Sequence, residues 1–361
     1  MLYNLFYPLA EYSSVFNVFR YITFRTAYAI VTSMLIMLVF GTMITEMLRK
    51  WKLSQRVKGF EPGRHKQKEG TPTMGGLIIV VSATTSTLLW ADLSNSYIWI
   101  ILFVFIGFAC IGFVDDYIKT IKRNPLGLRS SVKFLAQSVI AVVGIFFVVI
   151  FDPSDNLFRV LLPFLKDQFI NFGWLYIAVA WFIIVGTSNA VNLTDGLDGL
   201  AIMPAVICFG AFAMLAYVSD NVVYSKYLSV FNVKGTAELT IYCGAMAGAG
   251  LGFLWFNTYP ASIFMGDVGS LSIGGALGMV ACMVKQEILL ALVGGLFVIE
   301  TLSVILQVGY FKFTKGKRLF MMAPLHHHFE LKGWSEPKII VRFWIIAFIM
   351  AIIAMSTLKL R

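Results

Sequence analysis

Two neighbouring acids, Asp115 and Asp116, end an apolar stretch of the chain. Adjacent carboxylates raise each other's pKa, so such a pair is favoured where a cation joins it. Mg²⁺ suits this position, because it binds carboxylate oxygens and shares its other positions with phosphate oxygens and water. Lys119, Lys122 and Arg123 follow at once and add cations that suit a phosphate. A solvated helix end beside lipid headgroups is the simpler alternative.

A second polar stretch contains Asn189, Asn192, Asp195 and Asp198, and a glycine follows each aspartate. If this stretch is helical, Asp195 and Asp198 share one face, because they are three residues apart. The glycines permit close approach of a ligand or a neighbouring helix. The alternative is that these side chains only cap the next helix.

Asp267 is a single acid between two apolar stretches. Alone it would be an ordinary helix cap. Beside two other acidic sites it becomes a candidate metal ligand. Phe264 lies close by and could stack on a nucleobase, although an aromatic residue at a membrane interface more often serves as an anchor.

His326, His327 and His328 are three of the four histidines of the chain. Consecutive residues of a regular helix cannot all face one metal, and no cysteine or second histidine pair completes a zinc site. Binding of a diphosphate suits them better, and a fortuitous polar loop is the alternative.

The segment from Lys68 through Thr73 to Gly76 adds hydroxyls and glycines before an apolar stretch. It is not a Walker loop, because GxxxxGK[ST] is absent from the chain. Gly244, Gly248 and Gly252 have the spacing of a close helix contact and do not form a dinucleotide-binding motif.

The elements that carry these residues are predicted to be membrane helices. Hydrophobic residues make up 58% of the 361 residues and charged residues only 13%, whereas a soluble domain carries about a quarter charged residues. Ten apolar stretches approach the roughly 20 residues that a membrane helix needs, and their continuous character excludes a β-barrel. The predicted fold is an all-α integral membrane protein with one domain over 1–361 and spans at 22–46, 73–91, 95–114, 134–151, 172–190, 199–219, 239–257, 263–284, 288–310 and 339–358. For the 268–284 segment of the eighth span, a buried or re-entrant helix is the alternative.

Lys and Arg are concentrated in three loops, with eight in 48–69, five in 115–133 and six in 312–338. The positive-inside rule places these loops in the cytoplasm. Ten spans then put both termini in the periplasm and every candidate site residue on the cytoplasmic side. The net charge of +10 needs no nucleic acid to explain it. Lipid headgroups and an anionic substrate are the expected partners of this basic face.

Five motifs in order identify a family resemblance that runs from about residue 20 to the C-terminus. The chain resembles the polyprenyl-phosphate N-acetylhexosamine-1-phosphate transferase superfamily, and its histidine run resembles the muramoyl-pentapeptide branch. The motifs are GTPTMGG, GFVDDY, NAVNLTDGLDGLA, FNTYPASIFMGDVGS and APLHHHFELKGW.

The resemblance implies ten transmembrane helices, a homodimer in the bacterial inner membrane and a Mg²⁺-dependent reaction. UDP-N-acetylmuramoyl-pentapeptide and undecaprenyl phosphate would give lipid I and UMP. Asp267 resembles the Mg²⁺ ligand, and Asp115 and Asp116 resemble the essential pair, with His326 as a further catalytic residue. The implied substrate-binding residues are Lys68, Thr73, Lys133, Asn189, Asn192, Asp195, Asp198, Phe264, His327 and His328.

In the reaction a lipid phosphate oxygen attacks the β-phosphorus of the nucleotide sugar. We expect Asp115 to deprotonate or orient that phosphate with support from Asp116; a covalent aspartyl phosphate is the alternative. The rival functions are transfer from UDP-N-acetylglucosamine, a transporter and a scaffold. A transporter would carry charges near mid-span, and only Arg25 and Glu300 lie well inside apolar stretches.

Overall fold

The computed structural model describes residues 1–50, 70–122, 124, 126–152, 156–165 and 168–359. Long helices dominate this part of the chain, because uninterrupted apolar sequence in a membrane must satisfy its backbone hydrogen bonds internally. The helices are α1 (Leu2–Phe6), α2 (Ile22–Lys50), α3 (Gly76–Trp90), α4 (Ser96–Thr120), α5 (Ser130–Phe151), α6 (Tyr176–Thr194), α7 (Ile202–Asp220), α8 (Val222–Tyr227), α9 (Ala237–Asn257), α10 (Gly266–Met283), α11 (Glu287–Val293), α12 (Gly295–Phe313), α13 (Leu325–Leu331) and α14 (Glu336–Ser356). Short 3-10 helices occupy Tyr7–Glu11, Ser14–Arg20, Gly173–Leu175 and Thr357–Lys359.

Within the described ranges, nine helices are long and apolar enough to cross a membrane. The all-α integral membrane class is therefore confirmed. The predicted span 73–91 forms α3, which has only 15 residues. At about 1.5 Å per residue α3 is roughly 22 Å long, less than the ~30 Å of a hydrocarbon core.

The predicted single span 288–310 is wrong in one respect, since α11 ends at Val293 and α12 begins at Gly295. Gly294 and Gly295 lie at the break, where glycine favours a change of direction. A Cβ at Gly295 would also collide with the side chain of Met350 on α14. Packing at this point therefore requires the small residue.

A small antiparallel hairpin interrupts the helical fold. Its strands are β1 (Arg159–Leu161) and β2 (Phe169–Asn171), with Val160 opposite Ile170. This hairpin was not predicted, because its two strands have only three residues each.

Helix α10 lies at the centre of the bundle, with 89% of its apolar window buried. Its glycines allow this, because a Cβ at Gly274 would meet the backbone of Ser188 on α6, and one at Gly275 would meet the ring of Phe108 on α4. Small residues let helix backbones approach closely in membranes. The predicted 263–284 span is therefore a helix enclosed by other helices, and its first turn lies among the candidate site residues.

The predicted close contact through Gly244, Gly248 and Gly252 is confirmed. A Cβ at Gly248 would collide with the backbone of Ile30, and one at Gly252 would meet Met37. Gly244, Gly248 and Gly252 therefore face α2, whereas Gly250, the fourth glycine of α9, faces Val206 on α7.

The end of the bundle away from the candidate site, here called the opposite end, contains closed ion pairs. Arg25 is 2% exposed and donates from both terminal nitrogens to Glu238, at 2.8 and 2.7 Å. Lys285 Nζ lies 2.8 Å from Glu287 Oε1, which also accepts from the Tyr176 hydroxyl at 2.6 Å. Arg25, one of the two charges inside apolar stretches, thus has a structural partner.

Candidate active site

Three carboxylates meet where α4 ends and α10 begins. Asp115 and Asp116 are 2% and 5% exposed, and Asp267 lies in the first turn of α10. A Cβ at Gly112 would collide with the backbone carbonyl of Asp267. This glycine therefore lets α4 and α10 come close enough to bring the acids together.

Two lysine ammonium groups bridge these acids. Lys119 Nζ lies 2.7 Å from Asp115 Oδ2 and 2.9 Å from Asp267 Oδ2. Lys133 Nζ lies 3.2 Å from Asp115 Oδ2 and 2.7 Å from Asp267 Oδ2. The same two carboxylate oxygens therefore share both cations. Lys133, a predicted substrate-binding residue, lies at the centre of the site.

The remaining carboxylate oxygens hold the segments around the site. Asp115 Oδ1 accepts from the backbone N–H of Leu128 at 2.6 Å, and Asp267 Oδ1 accepts from Asn192 Nδ2 at 2.8 Å. The same Asn192 nitrogen lies 2.7 Å from Ser270 Oγ. Asn192 thus holds the Asp267 carboxylate in place.

Asp116 faces the backbone at the start of α10. Its Oδ2 accepts from the Val268 N–H at 3.2 Å. Gly266 has a φ of +73°, and a Cβ there would lie 2.5 Å from Asp116 Oδ2 and 3.0 Å from Thr73 Oγ1. A glycine is required at this turn on both counts.

Thr73 and Phe264 lie on two segments that pair with each other. The Phe264 N–H donates to the Pro72 carbonyl at 2.8 Å, and the Gly75 N–H donates to the Phe264 carbonyl at 2.9 Å. Thr73 is buried and Phe264 is half-buried. Both predicted residues therefore border the acidic cluster, whereas Lys68 lies outside the described residues.

Asn189 lies one helical turn before Asn192 and contacts a different neighbour. Its Nδ2 donates to Gln137 Oε1 at 3.0 Å and to the Val185 carbonyl at 2.8 Å. Gln137 follows Lys133 by one turn of α5. Asn189 and Gln137 thus join α6 to the helix that carries Lys133.

Asp195 and Asp198 do not share a helical face, because α6 ends at Thr194 and a turn follows. Asp198 Oδ2 accepts from the Ala261 N–H at 2.9 Å, so this carboxylate holds the loop before α10. Asp195 is half-buried, and burial together with the charges of Asp267, Asp116 and Asp198 raises the pKa of Asp195 to about 8.

The three histidines face three different partners. His326 Nδ1 lies 3.2 Å from Glu300 Oε2, and His327 Nδ1 lies 2.7 Å from Glu330 Oε2. His328 Nδ1 accepts from the backbone N–H of Met321 at 3.1 Å. Because the three imidazole rings face different partners, they do not converge on one metal ion.

His326 is the histidine that reaches the rest of the site. A Cβ at Gly196 would collide with its Nε2, so the ring packs on the turn after α6. Burial lowers the pKa of His326 despite the contact with Glu300.

Several site residues were missed as site candidates by sequence reasoning. Lys119 was noted only as a nearby cation, although its i, i+4 spacing from Asp115 was a usable signal. Ser270 and Gln137 had no separate signal. Glu300 was visible as a charge within an apolar stretch, but nothing in the sequence named His326 as its partner.

Among the described residues, no group of three His, Cys, Asp or Glu side chains converges on one metal position. Mg²⁺ does not require such a group, because proteins often bind it through one or two carboxylates with substrate phosphates and water. The Oδ2 atoms of Asp115 and Asp267 already face cations. This donor set therefore fits Mg²⁺.

The helical bundle defines an integral membrane protein with a cluster of lysine-bridged acids at one end. The family model of Glycosyl transferase family 4 matches residues 98–285, more than half of the chain. The chain is therefore a member of this class of transferases. Phospho-N-acetylmuramoyl-pentapeptide-transferase signature 1 matches residues 68–80.

Curated relatives carry the same name. A phospho-N-acetylmuramoyl-pentapeptide-transferase of Desulfosudis oleivorans is 59% identical over 361 residues, which covers 100% of both chains. Proteins of that name from Syntrophus aciditrophicus and Thermodesulfovibrio yellowstonii are each 53% identical, again over 100% of both chains. The chain therefore belongs to the phospho-N-acetylmuramoyl-pentapeptide-transferase family.

Proposed function

We propose that this chain transfers phospho-N-acetylmuramoyl-pentapeptide from its UDP derivative to undecaprenyl phosphate, which yields lipid I and UMP for peptidoglycan synthesis. The observation that carries this proposal is the pair of ammonium groups shared by Asp115 and Asp267. Both substrates are anions, so charge neutralisation and alignment supply most of the rate enhancement.

The shared lysines suit this chemistry, because an ammonium group that moves towards a phosphate leaves each carboxylate with a second cation. The side chains of Lys119 and Lys133 are 33% and 17% exposed. They can therefore reach a substrate phosphate from their present positions.

Asp267 would hold Mg²⁺ together with phosphate oxygens and water, and Asn192 would keep its carboxylate in place. The ion, when bound, neutralises the charge that the departing UMP gains. Asp115 takes the proton of the lipid phosphate or orients its attacking oxygen. The new bond joins that oxygen to the β-phosphorus, and the bond from this phosphorus to the bridging oxygen breaks as UMP leaves.

Asp116, Thr73 and Phe264 border the nucleotide side of the site in this proposal. Asp116 stabilises the start of α10 through Val268. Phe264 supplies an aromatic face for the uracil, and Thr73 supplies a hydroxyl. The remaining proposed contacts to the donor are those of Lys68, Asn189, Asp195, Asp198, His327 and His328.

A groove beside α6 suits the polyprenyl chain. Its volume is about 300 Å³. Aliphatic and aromatic side chains dominate its walls, which run along α6 from Phe182 to Ala190 and along α12 from Phe297 to Ile305. Ala190 is one residue after Asn189 along α6, so the groove reaches the same level of the bundle as Asn189, on a different face of the helix. A lipid phosphate at the site could therefore extend its tail into the groove.

The proposal places the protein in the bacterial inner membrane, with the site on the cytoplasmic face and both termini in the periplasm. The positive-inside pattern supports this orientation. Ten spans and a homodimer remain predictions.

The test is transfer from UDP-N-acetylmuramoyl-pentapeptide to undecaprenyl phosphate by the purified chain, with Mg²⁺ and with a chelator. We expect lipid product and UMP only with Mg²⁺, and loss of both in Asp267→Ala. Asp92→Ala, which removes an aspartate at the opposite end, is the matched control and should stay active. Product from UDP-N-acetylglucosamine alone would reassign the substrate, and no product from either donor would overturn the proposal.

A further inference from the structure

Glu300 is a carboxylate with 0% exposure on the apolar helix α12. Such a group is costly in a membrane span and calls for a specific partner. Both of its oxygens face one residue, since Oε1 accepts the backbone N–H of His326 at 3.2 Å and Oε2 lies 3.2 Å from Nδ1 of the same residue.

This arrangement selects one tautomer of the imidazole. A carboxylate accepts hydrogen bonds, so the ring nitrogen that faces it carries the hydrogen. Nε2 then has a free lone pair. Nε2 is buried, has no hydrogen-bond partner among the described residues, and packs on Gly196 in the turn that bears Asp195.

We propose that Glu300 is a positioning residue for the transfer reaction, which fixes His326 in the Nδ1–H form and presents Nε2 as a hydrogen-bond acceptor at the Gly196 turn. This inference rests on the proposed role of His326 in the reaction. Nε2 lies against Gly196, so it accepts from an O–H or N–H group of the nucleotide sugar when the Gly196 turn moves aside. Orientation of an imidazole by a carboxylate behind it is a general way to prepare a histidine for catalysis.

Glu300→Gln is the decisive variant, because it keeps the size of the side chain and has only one acceptor atom. The backbone N–H of His326 needs that acceptor, so the amide NH₂ of the glutamine faces Nδ1. Nδ1 must then accept, and the hydrogen moves to Nε2. The variant therefore reverses the tautomer without opening a cavity.

The experiment uses the full-length protein labelled with ¹⁵N-histidine in micelles. The chain has only four histidines, and a His326→Asn variant assigns the His326 signals by their loss. We expect wild-type His326 to be protonated at Nδ1 and Glu300→Gln to be protonated at Nε2. Turnover should fall by about 100-fold or more in the glutamine variant, while KM changes little.

Two further variants separate positioning from a purely structural tether. Ser303→Ala removes a hydroxyl that donates to the Glu300 backbone carbonyl at 2.6 Å and should retain the wild-type tautomer and turnover. The double variant Glu300→Gln/His326→Asn should be no slower than His326→Asn alone.

An unchanged tautomer in Glu300→Gln, full activity of either His326→Asn or Glu300→Gln, or a further loss in the double variant would overturn the inference. Failure of the proposed function is distinct, because it would appear as absence of product from the wild-type protein.

Discussion

The two ends of the bundle use buried charge differently. At the opposite end, one guanidinium meets one carboxylate, and the side chains of Arg25 and Glu238 are only 3% and 12% exposed. At the site end, two ammonium groups are shared between Asp115 and Asp267, and the side chain of Lys119 is 33% exposed. A closed pair holds helices together, whereas a shared cluster with access to solvent can exchange partners when an anion arrives.

The free-energy cost of losing one charge also differs between the two ends of the bundle. Removal of one member of a closed buried pair leaves an uncompensated charge. In the shared cluster each carboxylate retains a second cation when one ammonium leaves. Loss of a site residue should therefore affect activity more than stability, and loss of a residue at the opposite end should do the reverse.

The largest expected effect is that of Asp267→Ala on turnover. The variant removes one of the two oxygens that both lysines share, together with the proposed Mg²⁺ ligand, so turnover should fall by roughly 1,000-fold. Thermal stability should change little, because Lys119 and Lys133 keep Asp115 as a partner. Steady-state turnover and melting temperature of the same preparation check this. A variant within tenfold of wild-type turnover would contradict a catalytic role for Asp267.

Arg25→Ala should give the opposite outcome. Glu238 would stay in a buried place without its guanidinium, and the free energy of unfolding should drop by about 3–5 kcal/mol. Unfolding in mixed SDS micelles measures this loss, and activity per folded molecule should remain that of the wild type. Arg25→Met/Glu238→Leu removes both charges and should recover much of the stability. A stable Arg25→Ala protein would show that the pair does not hold the helices.

Lys119→Met and Lys133→Met test whether Asp115 and Asp267 share the two ammonium groups. Each variant keeps most of the side-chain volume and leaves one bridging cation, so kcat/KM should fall by about 10- to 100-fold. The double variant should lose more than the product of the two single losses, because contacting residues in one network do not add. Lys285→Met cannot serve as a control for folding, since Lys285 belongs to a closed pair; Lys234→Met, at the opposite end, can. Strictly additive losses would contradict a shared role.

The smallest effect is the pH dependence of stability at Asp195. The pKa of Asp195 in the folded protein is about 8, and an unfolded aspartate titrates near 3.9. The folded state therefore binds more protons between these values, and this group lowers stability as pH rises through that window. Asp195→Asn should melt above the wild type by a margin that grows from pH 5 to pH 8 and then levels off. A difference in melting temperature that stays constant with pH would show that the pKa of Asp195 is not raised in the folded protein.

The existence of most helices was predictable, because a continuous apolar stretch in a membrane has no other way to satisfy its backbone. The break at Gly294 was not, since it depends on the contact of Gly295 with Met350 of a distant helix. The short length of α3 was also missed, because the predicted stretch included residues that pair with the segment around Phe264.

The candidate site was predictable in its membership more than in its contacts. Acids and histidines are scarce in this apolar chain, so the sequence alone indicated Asp115, Asp267 and His326 as candidate site residues. The turn of Asp198 towards Ala261 and the pairing of His326 with Glu300 were not predictable, because each joins residues far apart along the chain.

The sequence by itself determined the class of the protein, its family and the residues that carry charge, because hydropathy and ordered motifs are local properties. Only the tertiary structure decided which charges meet. The contact of Lys133 with Asp267 spans 134 positions of the chain and depends on how closely α4, α5 and α10 pack. A displacement of about 1 Å in that packing would replace shared hydrogen bonds by separated charges, and no pattern along the chain records that distance.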